Sequence, residues 1–355
     1  MKQIIISIVS LLTFILCNGC IKKAYNPIEP KSPAELDNFA WTSAGLTNTF
    51  VNAFAVSGTN LFAGGGGVFL STNDGSSWTA VNNGLPAHTG VTCFAVNGMN
   101  LYMGTDGNGA FLSTNNGASW TTVNNGLTNT FVLSLAASPA GGSGTNIFAG
   151  TDGGLWGTTG GGVFLSTDNG TNWSAVNNGL TDTLVTALAV SSGGSGTNIF
   201  AGTKNSGVFL STNNGSSWTA VNNGLTYTWG IKALTVSGMN LYAGTDYGIF
   251  LSANNGTSWN AMNAGLTNKY ISSLAAFGGE LFAGTNGGVF RSNDGGTYWN
   301  QYNTGLTDTL VSALAICDRF LYAGNFAQAE PALYRGPLLT SGVWRRCFEY
   351  ARLVR

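Results

Sequence analysis

The stretch Ser211–Leu225 reads STNNGSSWTAVNNGL, and the chain repeats it with small changes. STNDGSSWTAVNNGL begins at Ser71, STNNGASWTTVNNGL at Ser113 and STDNGTNWSAVNNGL at Ser166, with looser copies at Ser252 and Ser292. Taking the tryptophan as a ruler gives Trp41, Trp78, Trp120, Trp173, Trp218, Trp259, Trp299 and Trp344, separated by 37, 42, 53, 45, 41, 40 and 45 residues. A period near 40 is the size of a supersecondary unit that cannot bury its apolar face alone and must stack on its neighbours.

Strand chemistry identifies the unit. One interval contains WTAVNN, VTALAV, NIFAGT and GVFLST, short runs rich in β-branched and aromatic residues and divided by Asn, Gly and Thr. Four antiparallel strands per unit, with no helical periodicity, describe one propeller blade. We label them A (the ALAV type), B (FAGT), C (VFLST) and D (beginning at Trp). Seven A-B-C sets predict an all-β fold, a seven-bladed β-propeller spanning residues 39–344. Eight Trp-led D candidates compete for seven places. The segment at Trp41 keeps the WTAVNNGL pattern better than Trp344-Arg345-Arg346-Cys347. The N-terminal strand is therefore expected to complete the blade begun by residues 311–337, with 345–355 an off-pattern tail.

The turn between C and D resembles the Asp-box, or BNR repeat, S-x-D-x-G-x-x-W. Ser166–Trp173 and Ser292–Trp299 match it in full through Asp168 and Asp294, whereas Asn73, Asn115, Asn213 and Asn254 stand at the Asp position in the other copies. An Asx side chain can bond amides of its own loop, and Gly supplies positive φ, so the boxes read as structural staples. The resemblance extends to sialidases, xyloglucanases, photosystem II assembly factors and the sortilin ectodomain. In the enzymes among them it implies an active site on the face opposite the boxes, here the face of the D-to-A and B-to-C loops. We call it the open face.

Composition limits what that face can do. Of 355 residues 43% are hydrophobic, only 8% are charged, and the net charge is −1. Nucleic acid is a poor partner, because phosphate binding needs a clustered basic surface. Sialidase chemistry is improbable: Arg291, Arg319 and Arg335 all project toward the box face, and the F/Y-R-I-P signature is missing. The rival reading is a glycoside hydrolase of the Asp-box propeller type, which needs a carboxylate pair. Asp106, Asp152, Asp182, Asp246 and Asp308 occupy repeat positions where other blades carry Gly, Lys or Asn, a distribution that turn capping explains. The single histidine, His88, reads as an exposed loop residue, and no metal or cofactor set is present in the sequence pattern.

Departures from the repeat on the open face are more informative. They are Trp156 in an enlarged loop, Lys204, Tyr227 and Trp229 in a D-to-A loop with one extra residue, and Asp246-Tyr247. Aromatics that the architecture does not require are candidates for stacking on a sugar ring or anchoring a protein loop. The alternative is that they bury area over the channel.

The N-terminus sets the compartment. Met1 and Lys2 precede an apolar run, Ile4 to Leu16, too short to span a bilayer, which reads as a signal peptide over 1–19. Leu16-Cys17-Asn18-Gly19-Cys20 resembles the lipobox of bacterial lipoproteins, implying lipidation of Cys20. Residues 20–38 hold three of the seven prolines and form a polar tether. Cys93, Cys317 and Cys347 show no framework spacing, so no disulfide is expected to be needed for the fold. The expectation is an exported bacterial protein at the outer membrane or cell surface, alternatively secreted or periplasmic. It is read as a monomeric, non-catalytic binding or scaffold module with a glycan or extracellular protein as partner, reaching the membrane only through its lipid.

Overall fold

The computed structural model describes residues 40–139, 145–152, 161–193, 196–318, 320–325 and 341–347. Cys20, the signal peptide, the tether and Trp156 lie outside them. The described residues form seven four-stranded antiparallel sheets. The A strands are Val51–Ser57, Val91–Asn97, Val132–Pro139, Val185–Gly193, Ala233–Ser237, Ile271–Phe277 and Val311–Cys317, and they number the blades 1 to 7. In blade 1 strands B, C and D are Asn60–Gly65, Val68–Ser71 and Thr79–Ala80. Each A strand touches those of the blades before and after it, and blade 7 touches blade 1. The ring is closed, and the inner edge of each sheet is a short A strand flanked by those of its neighbours.

The apolar cores lie between blades. Phe62 and Val68 of blade 1 pack with Leu101, Met103, Phe111 and Trp120 of blade 2, and the later junctions repeat the arrangement. Five of the six box tryptophans, Trp120, Trp173, Trp218, Trp259 and Trp299, fill such a junction, and the indole N–H donates to a carbonyl beyond the D strand of the preceding blade, as Trp120 to Val81, Trp218 to Val176 and Trp259 to Val221. The partly buried Trp78 donates to Ala44 within the D strand. A buried indole thus stays hydrogen-bonded while its rings supply apolar area.

The rest of the repeated sentence is a second staple. In VNNGL the first Asn holds its own blade together: Asn222 accepts the Val208 N–H at 2.8 Å and donates to the Ser206 carbonyl at 2.9 Å. The next residue binds the following blade, the Asn223 carbonyl accepting the Trp259 N–H at 2.9 Å. Gly224, at φ 83°, completes it, because a Cβ there would meet the Trp259 carbonyl oxygen at 2.3 Å. Sequence reading gave a mechanism to the box alone. The constancy of Asn-Asn-Gly was the available signal for this half.

Blade 7 closes as expected in one respect and not in another. Its sheet runs A, B (Phe320–Asn325), C (Gly342–Cys347), D (Thr42–Thr47), so the N-terminal strand is indeed the outermost. The third strand is not within 311–337, however, and Arg345, Arg346 and Cys347 belong to the propeller rather than to a tail. Gly342-Val343-Trp344-Arg345-Arg346 takes the place of Gly67-Val68-Phe69-Leu70-Ser71: Trp344 faces Ala323 and Ser43, as Phe69 faces Ala63 and Ala80. The pattern was obscured because this C strand leads into no C-to-D turn, so no box follows it, and Trp344 imitates a box tryptophan. Arg346 is buried, its guanidinium 3.3 Å from the Tyr302 ring centre. Cys93 and Cys317 are free thiols, and burial pushes Cys93 up to about 12, which makes it a poor nucleophile.

Candidate functional site

The box turns have one geometry. Ser211 Oγ accepts the Gly215 N–H at 2.8 Å and donates to Asn213 Oδ1 at 2.9 Å, and the same Oδ1 accepts the Ser217 N–H at 3.0 Å. Asn73, Asn115 and Asn254 do the same. The residue after the Asx is left-handed in every box, Asp74, Asn116, Asn169, Asn214, Asn255 and Gly295, residue types that tolerate positive φ. Asx identity is matched four residues on. Asn73, Asn115, Asn213 and Asn254 donate their amide to a serine hydroxyl, whereas Asp168 accepts the Asn172 amide at 2.7 Å. That bond holds the Asp168 carboxyl below its usual range, and the Ser292 hydroxyl does the same for Asp294. The Ser and Asx side chains of these turns are thus bonded within the turn, while its outer residues accept from other blades, as Asn172 does from the Asn125 amide and the Gly295 carbonyl from the Tyr242 hydroxyl.

The D-to-A and B-to-C loops share the other face and are tied to each other, as in the bonds from Lys204 N to the Leu184 carbonyl and from Asp152 N to the Phe131 carbonyl. Two of its aspartates serve as turn caps. Asp182 accepts the Leu184 N–H through Oδ1 and the Asn205 N–H through Oδ2, and Asp308 Oδ1 accepts the Leu310 N–H. Asp152 is buried and accepts from Asn129. A shallow pocket lined by Gly66, Asn82, Pro86 and exposed His88 brings no second ionisable group to that histidine.

Blades 4 to 6 carry the irregular part of this face. In the loops entering the other blades, the residue before the A strand is Phe50, Gly90, Phe131, Leu184, Tyr270 or Leu310. The loop entering blade 5 is, like that of blade 2, one residue longer than the rest, and Gly230 stands at the corresponding place before Ile231, at φ 67°, its Cα so near Asp246 that a Cβ would lie 2.2 Å from Oδ2. Trp229 is thereby displaced into solvent and is 67% exposed. Tyr227 and Tyr247, 51% and 45% exposed, stack at 4.4 Å between ring centres. Gly230 N donates to the Lys204 carbonyl at 2.7 Å, which ties the Trp229 loop to Lys204. The structure therefore brings Lys204, Tyr227, Trp229, Asp246 and Tyr247 to one sector.

Two residues of the sector escaped sequence reading. Lys232 lies 3.7 Å from Asp246 Oδ1 and 5.3 Å from the centre of the Tyr270 ring. Other blades have Asn52, Thr92, Thr186, Ser272 or Ser312 at the Lys232 position, each bonded to a carbonyl of the next blade at the start of its A strand or, for Thr186 with Ile231, just before it. A lysine among small polar residues was the missed signal.

No family model matches the chain, and no curated protein matches it. Solved structures do. YCF48 bound to D1 peptide is 15% identical with a TM-score of 0.64, covering 89% of this chain and 99% of that one. The extracellular domain of the putative hybrid two component system BT4673 from B. thetaiotaomicron is 17% identical with a TM-score of 0.67 over 88% of this chain. The GH74 xyloglucanase from Xanthomonas campestris is 18% identical with a TM-score of 0.56 over 86%. This chain spans 40% of the length of the BT4673 structure and 55% of the xyloglucanase. At such identities the likeness is one of fold.

Proposed function

We propose that this chain is an exported binding propeller, held at a bacterial surface through Cys20 and the 20–38 tether, which takes a glycan on the open face of blades 4 to 6. Its six box turns are Asp-boxes that staple blades and take no part in recognition. The observation that carries the reading is Trp229. A large apolar side chain left in water by a one-residue insertion and a left-handed glycine serves no packing purpose, and exposed aromatics of this kind mark recognition surfaces. Trp229, Tyr227 and Tyr247 offer ring faces and edges to sugar C–H groups, while Asn and Thr of the same loops supply partners for hydroxyls. The neighbours include a peptide complex and a glycan hydrolase, so the fold accommodates either ligand class. Exposed rings at the surface favour glycan binding without cleavage.

The test is a glycan array probed with the full chain and with Trp229→Ala. Wild type is expected to bind a restricted set of glycans, and the variant to bind them at least about tenfold more weakly, the scale of losing one anchor. An array on which wild type binds nothing, or on which both proteins give the same signals, refutes the reading.

A further inference from the structure

We infer that the ligand of this sector is an acidic polysaccharide, one whose sugar rings carry carboxylates. The inference rests on the binding reading above and narrows it. Beyond the tether the chain contains three lysines, Lys204, Lys232 and Lys269, and all three stand on the open face of consecutive blades 4, 5 and 6. They form a connected patch with the aromatics. Lys204 is bonded through its carbonyl to Gly230, beside Trp229. The Lys232 ammonium lies over the Tyr270 ring, and Lys269 is the residue preceding Tyr270.

The acids of the sector are already engaged. Asp182 has both oxygens on backbone N–H groups, and Asp246 is paired with Lys232. Lys204 and Lys269 have no ion-pair partner among the described residues, and Lys269 is exposed. Elsewhere on the open face the described charged side chains are Asp106, Asp152 and Asp308, on blades 2, 3 and 7. The face is therefore polarised: three lysines against Asp182 and Asp246 leave the blades that carry the exposed rings one positive charge in excess, whereas the described charged side chains of the other blades on this face are all aspartates. The low net charge of the whole chain, which suits a neutral ligand, conceals this.

A uronate ring matches the pairing. Its C–H face can lie on a tryptophan or tyrosine while the carboxylate at its edge reaches an ammonium a few ångströms away, and a polymer repeats the arrangement along three blades. An acidic peptide would satisfy the lysines but has no ring to place on Trp229.

Affinity electrophoresis of the full chain compares polygalacturonate, its methyl ester, which keeps the rings and removes the charge, and poly-L-glutamate. Polygalacturonate is expected to bind at least about fivefold tighter than the ester, with the difference shrinking as salt screens it. Lys204→Gln combined with Lys269→Gln should abolish that preference with Tm unchanged, since neither lysine holds another side chain. Trp229→Ala should weaken binding to both polysaccharides. Equal binding of polymer and ester by wild type overturns the acidic class and leaves the glycan reading standing. Binding of poly-L-glutamate equal to that of polygalacturonate and indifferent to Trp229→Ala overturns it in favour of an acidic peptide. Failure to bind either polysaccharide overturns it too, whereas the array above judges the glycan reading separately.

Discussion

Gly224→Ala and Gly238→Ala are the same chemical change at two left-handed glycines, φ 83° and 61°, with different surroundings. At Gly238, in the A-to-B turn of blade 5, an added Cβ meets nothing within 4 Å. At Gly224 it meets the Trp259 carbonyl oxygen at 2.3 Å, then the Trp259 nitrogen at 3.2 Å, which is backbone of the next blade and cannot rotate away. Both variants incur the left-handed cost, about 1–2 kcal/mol. Only Gly224→Ala must also push two blades apart, adding about 1–3 kcal/mol by analogy with overpacking. At about 2–4 °C per kcal/mol for domains somewhat smaller than this one, Gly238→Ala should lower Tm by about 3 °C and Gly224→Ala by about 6 °C or more. Thermal unfolding of the two proteins, followed by near-UV circular dichroism, measures the difference. Equal shifts would mean that Asn-Asn-Gly does not join one blade to the next.

Asn222→Ala leaves the Val208 N–H and the Ser206 carbonyl without their side-chain partner and is expected to cost about 1–3 kcal/mol in denaturant titration, more than a surface Asn→Ala. Asp168 and Asp294 have depressed folded pKa values, so their contribution is present above the unfolded carboxylate value, about 3.9, and is lost as pH falls through the folded one. Stability should therefore fall below about pH 4, and Asp168→Asn with Asp294→Asn should flatten that fall. The outermost strand of blade 7 pairs only with Gly342–Cys347, so deleting 345–355 should lower Tm no less than deleting 1–47, with scanning calorimetry as the readout. A harmless C-terminal deletion would contradict the strand order of blade 7.

What was legible in the sequence follows from what the repeat enforces. Six copies of one sentence impose blade number, strand order and turn position, because each copy meets the same neighbours. The last C strand was hidden because Arg345 and Arg346 replace the Leu-Ser of GVFLS where no box turn needs a serine. Lys232 was legible as a lysine at a repeat position filled elsewhere by small polar residues, but the direction of its side chain, toward Asp246 and Tyr270, was not. Trp229 was visible as an inserted residue, but its displacement into solvent depends on Gly230 lying against Asp246, a contact between two loops that no local pattern encodes.

The binding surface is tested most directly by hydroxyl-radical footprinting of the full chain with and without saturating polysaccharide, read residue by residue. Exposed oxidisable side chains occur on both faces, which gives the measurement an internal control. Trp229, Tyr227, Tyr247 and Tyr270 are on the open face, and Met99, Met239 and Tyr298 are in A-to-B and box turns on the other. The account predicts protection of the first four and unchanged oxidation of the last three. Protection centred on Met99, Met239 and Tyr298, with Trp229 still oxidised at its free rate, would contradict it.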